Sequence, residues 1–171
     1  MTQLPSEFDG LVDNGYLEVT DKLRECAYFH DLMTRTTDWN QFRWLTSAFL
    51  NAARATIDWL ALSAYYAIPG DAQYEMGPDE GAIATLSGYL VMKQEKKTGK
   101  VYASPLDPLL KELCDHRTVT AHEGPLWITP ERVVDAQEFR FALGDKPVLP
   151  FARDVLGLLA RIQHELRPDL R

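Results

Sequence analysis

The stretch from position 39 to position 67, "WNQFRWLTSAFLNAARATIDWLALSAYYA", most constrains what this chain can fold into. It holds neither glycine nor proline until the stop at Ile68-Pro69-Gly70. Asp38 and Gln41 at its start have the spacing of a capping box, in which a side-chain oxygen accepts from an orphan backbone N–H. About thirty residues at 1.5 Å rise give a helix of roughly 45 Å. One side carries Phe42, Leu45, Phe49, Ala52 and Trp59, and another carries Trp44, Ala48, Ala55 and Leu62. A helix apolar on more than one side is central to its bundle, or one face meets a second subunit. Trp39, Trp44 and Trp59 accordingly read as core or dimer contacts rather than a stacking platform.

The neighbouring segments fit around such a helix. A first helix is expected from about Glu18 to Thr36, with Val19, Leu23, Cys26, His30 and Met33 repeating at bundle-seam spacing. The short connection at Thr37 makes the two helices antiparallel. Residues 70–79 read as a loop. Residues 79–100 have helical spacing at Ile83, Leu86, Tyr89 and Leu90, interrupted by Gly81 and Gly88, and a helix is expected there before the basic turn "KQEKKTGK". The next helix is expected to start at "SPLD", with Ser104 as cap and Pro105 in the first turn, and to end at Gly124-Pro125. Its inner stripe is Leu106, Leu110 and Leu113, continuing to Arg117. "RVVDAQEFRFALG" reads as two short strands turning near Ala136-Gln137. A last helix runs from about Pro150 to Leu166, with Phe151, Val155, Leu158, Ile162 and Leu166 facing inward. The sum is one domain over residues 1–171: a mainly α, four- to five-helix up-down bundle with an irregular arm over 1–16 and a short β-hairpin before the last helix.

Charge and cysteine usage narrow the function. The net charge is −7. Residues 1–80 carry 5 Lys/Arg against 13 Asp/Glu, and residues 81–171 carry 13 against 12. Any contact with nucleic acid is therefore expected on the second half. No apolar run is long enough to span a membrane, and the first fifteen residues lack the pattern of a signal peptide. Cys26 and Cys114 lack metal-site spacing and read as small reduced core residues, so a cytoplasmic protein is expected.

One local constellation carries chemistry: "LCDHRTVTAHEGPLW", positions 113–127. Arg117 falls on the leucine stripe of its helix, where a guanidinium needs a carboxylate or a phosphate as partner. His122 follows five positions later. On an ideal helix the two side chains diverge by roughly 140°, so they converge on one ligand only if the helix loosens first or a second copy completes the site. A histidine near neutral pKa can take the proton of a ribose 2′-hydroxyl or protonate a leaving 5′-oxygen, and a guanidinium can hold the phosphate between them. The pair suits RNA cleavage without a metal.

An arginine, a polar residue and a histidine a few positions on, late in an all-helical chain, resembles the HEPN superfamily (higher eukaryotes and prokaryotes nucleotide-binding domains). Here the residues are Arg117, Thr118, "VTA" and His122. The resemblance implies a usually dimeric helical domain. It implies Arg117 as phosphate binder and His122 as acid/base; Thr118 and His116, beside them in the sequence, are the candidates for substrate binding. Many members are metal-independent endoribonucleases of toxin–antitoxin, defence or RNA-processing systems, so RNA, an antitoxin or another protein partner, and a second copy are the implied partners. Others are non-catalytic structural or interaction homodimers.

The residues leave other readings open. Arg117 can pair with a helix carboxylate while His122 caps the helix end. A nucleotide- or small-ligand-binding bundle, with an enclosed pocket against the second helix, is the third. Arg24 and His30 have similar spacing but are set aside because His30 lies on the core stripe. His116 is expected to face solvent, and His164 lies on the polar side of the last helix. No metal or cofactor is expected, since the histidines and carboxylates show no His-Glu-x-x-His pattern and no glycine-rich phosphate loop is present.

Overall fold

The computed structural model describes residues 17–66, 81–94, 101–119, 128–130, 141–143 and 146–166. Among them the chain is a mainly helical bundle. It runs α1 (Leu17–Arg35), α2 (Trp39–Tyr66), α3 (Gly81–Ser87), β1 (Leu90–Gln94), β2 (Val101–Pro105), α4 (Pro108–Thr118), β3 (Ile128–Pro130), β4 (Phe141–Leu143), β5 (Lys146–Pro147) and α5 (Val148–Leu166).

α2 is the hub. It packs against α1, α3, α4, α5 and β2, as a helix with apolar residues on several sides must. Its start follows from Asp38, whose Oδ1 accepts from the Gln41 backbone N–H at 2.8 Å. That bond satisfies one of the orphan donors of the first turn. Phe42, Phe49, Leu50, Ile57 and Leu60 are buried. Residues 36–38 return the chain antiparallel to α1, whose Val19, Leu23, Cys26 and Met33 lie in the same core. His30 is half-buried, at the edge of that stripe. α5 buries all five expected residues, Phe151, Val155, Leu158, Ile162 and Leu166. Its buried Gln163 donates through Nε2 to Thr20 Oγ1 of α1 at 3.0 Å, tying the first helix to the last.

Residues 79–100 do not form one helix. α3 stops at Ser87, Gly88 and Tyr89 make a turn, and Leu90–Gln94 pairs antiparallel with Val101–Pro105. The pairing buries Leu90 and Ala103 together in the core, and this long-range gain outweighs a weak local helical spacing. Ser104 and Pro105 are consequently strand residues, not a helix start. The cap is Asp107, which accepts from the backbone N–H groups of Leu109 and Leu110, with Pro108 in the first turn. Leu106 is correspondingly 52 % exposed, while Leu110 and Leu113 are fully buried.

The sheet before α5 has three short strands in the order β3-β4-β5, all antiparallel. Of the expected hairpin, the second strand is present as β4, and its turn at Ala136-Gln137 lies outside the described residues. β4 pairs with Ile128–Pro130 and with Lys146–Pro147. Phe141 stacks on Phe42 with centroids 4.3 Å apart, and Trp39 Nε1 donates to the Ile128 carbonyl at 2.9 Å. The small sheet is thereby fastened to the start of α2. Of the three tryptophans in α2 only Trp59 packs half-buried against the core; Trp39 is 41 % and Trp44 62 % exposed. Among the described residues no helix is long and apolar enough to cross a membrane.

Candidate functional site around the end of α4

α4 exists because Asp107 caps it, Pro108 suits its first turn, and Leu110 and Leu113 bury against α2 and β2. Arg54, in the middle of α2, fixes its height. Its Nη1 donates to Cys114 Sγ at 3.0 Å, and its Nη2 to the Ala103 carbonyl at 3.0 Å and to Asp58 Oδ1 at 2.7 Å. Burial alone would lower the Arg54 pKa, but the bonds to Cys114 and Asp58 outweigh it and the net direction is upward. Cys26, by contrast, is wholly buried beside Thr56, and desolvation pushes its thiol up to about 12. It is an inert core residue.

Arg117 takes the next position on the leucine stripe, two turns after Leu110. It is half-buried, with Nε withdrawn from solvent. α4 ends one residue later at Thr118, with Val119 as its C-cap. Val119 keeps right-handed helical backbone angles, and its N–H donates to the carbonyls of Asp115 and His116. His122 itself lies outside the described residues. Thr118 is exposed, and its Oγ1 donates to the Cys114 carbonyl at 2.8 Å, so its proton is turned back onto its own helix. The oxygen lone pairs remain available as acceptors.

His116 does not face solvent freely. It is half-buried, edge-on to Phe151 of α5 at 5.6 Å between ring centroids. Its Nε2 lies 3.6 Å from Glu112 Oε1, an ion-pair distance that becomes attractive only when the imidazole is protonated. Lys146 Nζ reaches the other Glu112 oxygen at 2.6 Å. Glu112 thus stands between two cationic or potentially cationic side chains. The Glu112–His116 spacing of four was legible in the sequence as a helix-surface pair. Lys146 and Phe151 were not, because β5 and α5 bring them in from thirty or more positions away.

The structure therefore places Arg117, His116 and Thr118 in the last turn of α4, on successive positions that fan around the helix. Among the described residues no group of three or more His, Cys, Asp or Glu could hold a metal ion. An open groove of about 650 Å³ lies elsewhere, at the α1–α2 elbow, lined by Leu32, Arg35, Thr37, Gln41, Trp44 and Ala48. It is not the enclosed pocket expected of a ligand-binding bundle. No family model, curated protein or solved structure matches this chain.

Proposed function

We propose that the chain is a HEPN-like, metal-independent endoribonuclease of the toxin or defence type. Arg117 binds the scissile phosphate, His122 transfers the proton, and His116 and Thr118 hold the flanking nucleotide. The observation that carries this reading is the position of Arg117. A half-buried guanidinium stands on the core stripe at the last turn of α4, on a helix packed against α2 and β2. A guanidinium on a rigid element stabilises the charge that develops on a phosphate oxygen without reorganising.

The chemistry is a transesterification. The 2′-hydroxyl loses its proton to a base and attacks the adjacent phosphorus, and the P–O5′ bond breaks. The 5′-oxygen takes a proton as it leaves, giving a 2′,3′-cyclic phosphate and a 5′-hydroxyl. One imidazole, positioned in turn at each oxygen, or two imidazoles supplied by two copies, serve both proton transfers. Such an enzyme meets its RNA in the cytoplasm and needs a protein antitoxin or an equivalent restraint.

The test is incubation of mixed RNA with the purified chain in excess EDTA, beside Arg117→Ala and His122→Ala variants whose folding is verified by circular dichroism. The wild type cuts, and each variant loses about a hundredfold or more in rate. No cleavage by any of the three overturns the reading and leaves a non-catalytic interaction module.

A further inference from the structure

We propose that the outward face of the β1–β2 hairpin binds single-stranded nucleic acid, RNA and DNA alike, with Tyr102 stacking on a base and the lysines of the hairpin meeting the phosphates. This surface uses none of the residues of the Arg117 site. It does not rest on the cleavage reading, since a strand is held here whether or not it is cut elsewhere.

The register gives the hairpin two unlike faces. Leu90 stands opposite Pro105, Val91 opposite Ser104, Met92 opposite Ala103 and Lys93 opposite Tyr102. Directly opposed residues of an antiparallel pair share a face, and faces alternate along each strand. Leu90 and Ala103 are buried and Met92 packs on the core, so theirs is the inner face. Positions 91, 93, 102 and 104 make the outer one. Tyr102 is 46 % exposed there, and Ser104 beyond it is exposed.

The ring is presented on a fixed element. β2 packs on α2 and α4, and the Ala103 carbonyl, next to Tyr102 in the chain, accepts from Arg54 Nη2 at 3.0 Å. A tyrosine has only two side-chain torsions to fix, so stacking on a base from such a strand costs little conformational entropy. The residues around it on the outer face are small or cationic, and they leave the ring as the one large apolar group of that face.

Positive charge is concentrated in the same hairpin. "KQEKKTGK", positions 93–100, holds four of the chain's seven lysines against Glu95 alone, while the rest of the chain carries 14 Lys/Arg against 24 Asp/Glu. Lys93 is the register partner of Tyr102, and the other three lie in the connection that joins β1 to β2. A cationic hairpin on an otherwise acidic chain draws a polyanion to one point and turns it away elsewhere. The tyrosine then selects among polyanions. An acidic peptide offers charge without a base to stack, and a duplex keeps the π-faces of its bases inside the stack. A single strand offers phosphates and open bases together. Stacking and phosphate contacts read neither the sequence nor the sugar.

The experiment is fluorescence anisotropy of a labelled single-stranded DNA of mixed sequence, titrated with the full chain at several salt concentrations. This probe has no 2′-hydroxyl, so binding is read apart from the proposed cleavage. The wild type binds it, and an RNA of the same sequence with its 2′-oxygens methylated binds comparably. Tyr102→Ala weakens binding by about fivefold or more with the salt dependence unchanged. Lys93→Glu weakens binding and makes the salt dependence shallower. Tyr102→Phe, which keeps the ring, binds as the wild type does and separates stacking from any loss of folding. Tyr28→Ala and Arg24→Glu remove an exposed ring and an exposed charge from α1 and also leave binding unchanged. A wild type that fails to bind at low salt, a Tyr102→Ala variant that binds as tightly as the wild type, or polyglutamate that displaces the probe as well as unlabelled strand does, overturns the proposal.

Discussion

Arg54 on α2 and Cys114 on α4 meet through a hydrogen bond of 3.0 Å from Nη1 to Sγ, and the same guanidinium reaches the Ala103 carbonyl of β2 at 3.0 Å. One side chain thus joins three elements and sets the height at which α4 presents Arg117. Arg54→Ala leaves a carbonyl of a buried residue without its donor and costs about 1–3 kcal/mol in urea unfolding. Arg54→Lys recovers only part of that, since a single ammonium cannot fork between sulfur, carbonyl and carboxylate. A loss below about 0.5 kcal/mol for both variants would mean that the three-way junction is not held by this residue.

The start of α4 is set by Asp107 and not by Ser104. Asp107→Ala removes the acceptor for two backbone N–H groups and lowers stability by about 1 kcal/mol. Ser104→Ala, on an exposed strand position, changes stability by less than about 0.5 kcal/mol. Thermal melts of the two variants side by side check this, and equal losses would restore Ser104 as the cap.

That correction shows where the sequence was legible. α1, α2 and α5 could be read because each repeats buried residues at helical spacing over nineteen or more positions, and no tertiary contact needs to be known to see such a repeat. Leu90–Gln94 could not be, because its strand character comes from a partner at Val101–Pro105 across a connection. Leu90, four positions after Leu86, fits a helix until that pairing is known. "SPLD" and "DPLL" both look like helix starts, and only the pairing of Leu90 with Pro105 decides between them. At the site, the leucine stripe located Arg117, and its half-burial follows from that stripe. The Lys146–Glu112–His116 cluster was out of reach, since β5 supplies Lys146 from thirty-four positions beyond Glu112.

Thr20 and Gln163 are both buried and share one hydrogen bond of 3.0 Å, while Gln163 Oε1 is buried with no hydrogen-bond partner among the described residues. Thr20→Val strands the Gln163 amide and costs about 1–3 kcal/mol. The double variant Thr20→Val, Gln163→Leu costs less than the sum of the two single variants, because both partners become apolar together. Strict additivity in denaturant titrations would show that the pair is not coupled.

Burial at the α1–α5 contact holds the His30 pKa below the ordinary histidine value, against the opposing pull of a hydrogen bond with the Leu149 backbone. The unfolded chain therefore binds this proton more readily than the folded one. The contribution of His30 to stability is fully present above about pH 6.5 and is lost as pH falls toward the lowered value. His30→Gln, which does not titrate, is expected to flatten the decline of Tm between about pH 7 and pH 5. An unchanged decline would place the responsible proton elsewhere.

The most direct measurement of the proposed activity pairs one RNA oligonucleotide with its fully 2′-O-methylated counterpart, each incubated with the wild-type chain in excess EDTA, with fragment ends read by mass spectrometry. Attack by the 2′-hydroxyl requires that the RNA be cut to 2′,3′-cyclic phosphate and 5′-hydroxyl ends and that the methylated strand stay whole. Cleavage of both strands, cleavage leaving other ends, or no cleavage of either would contradict it.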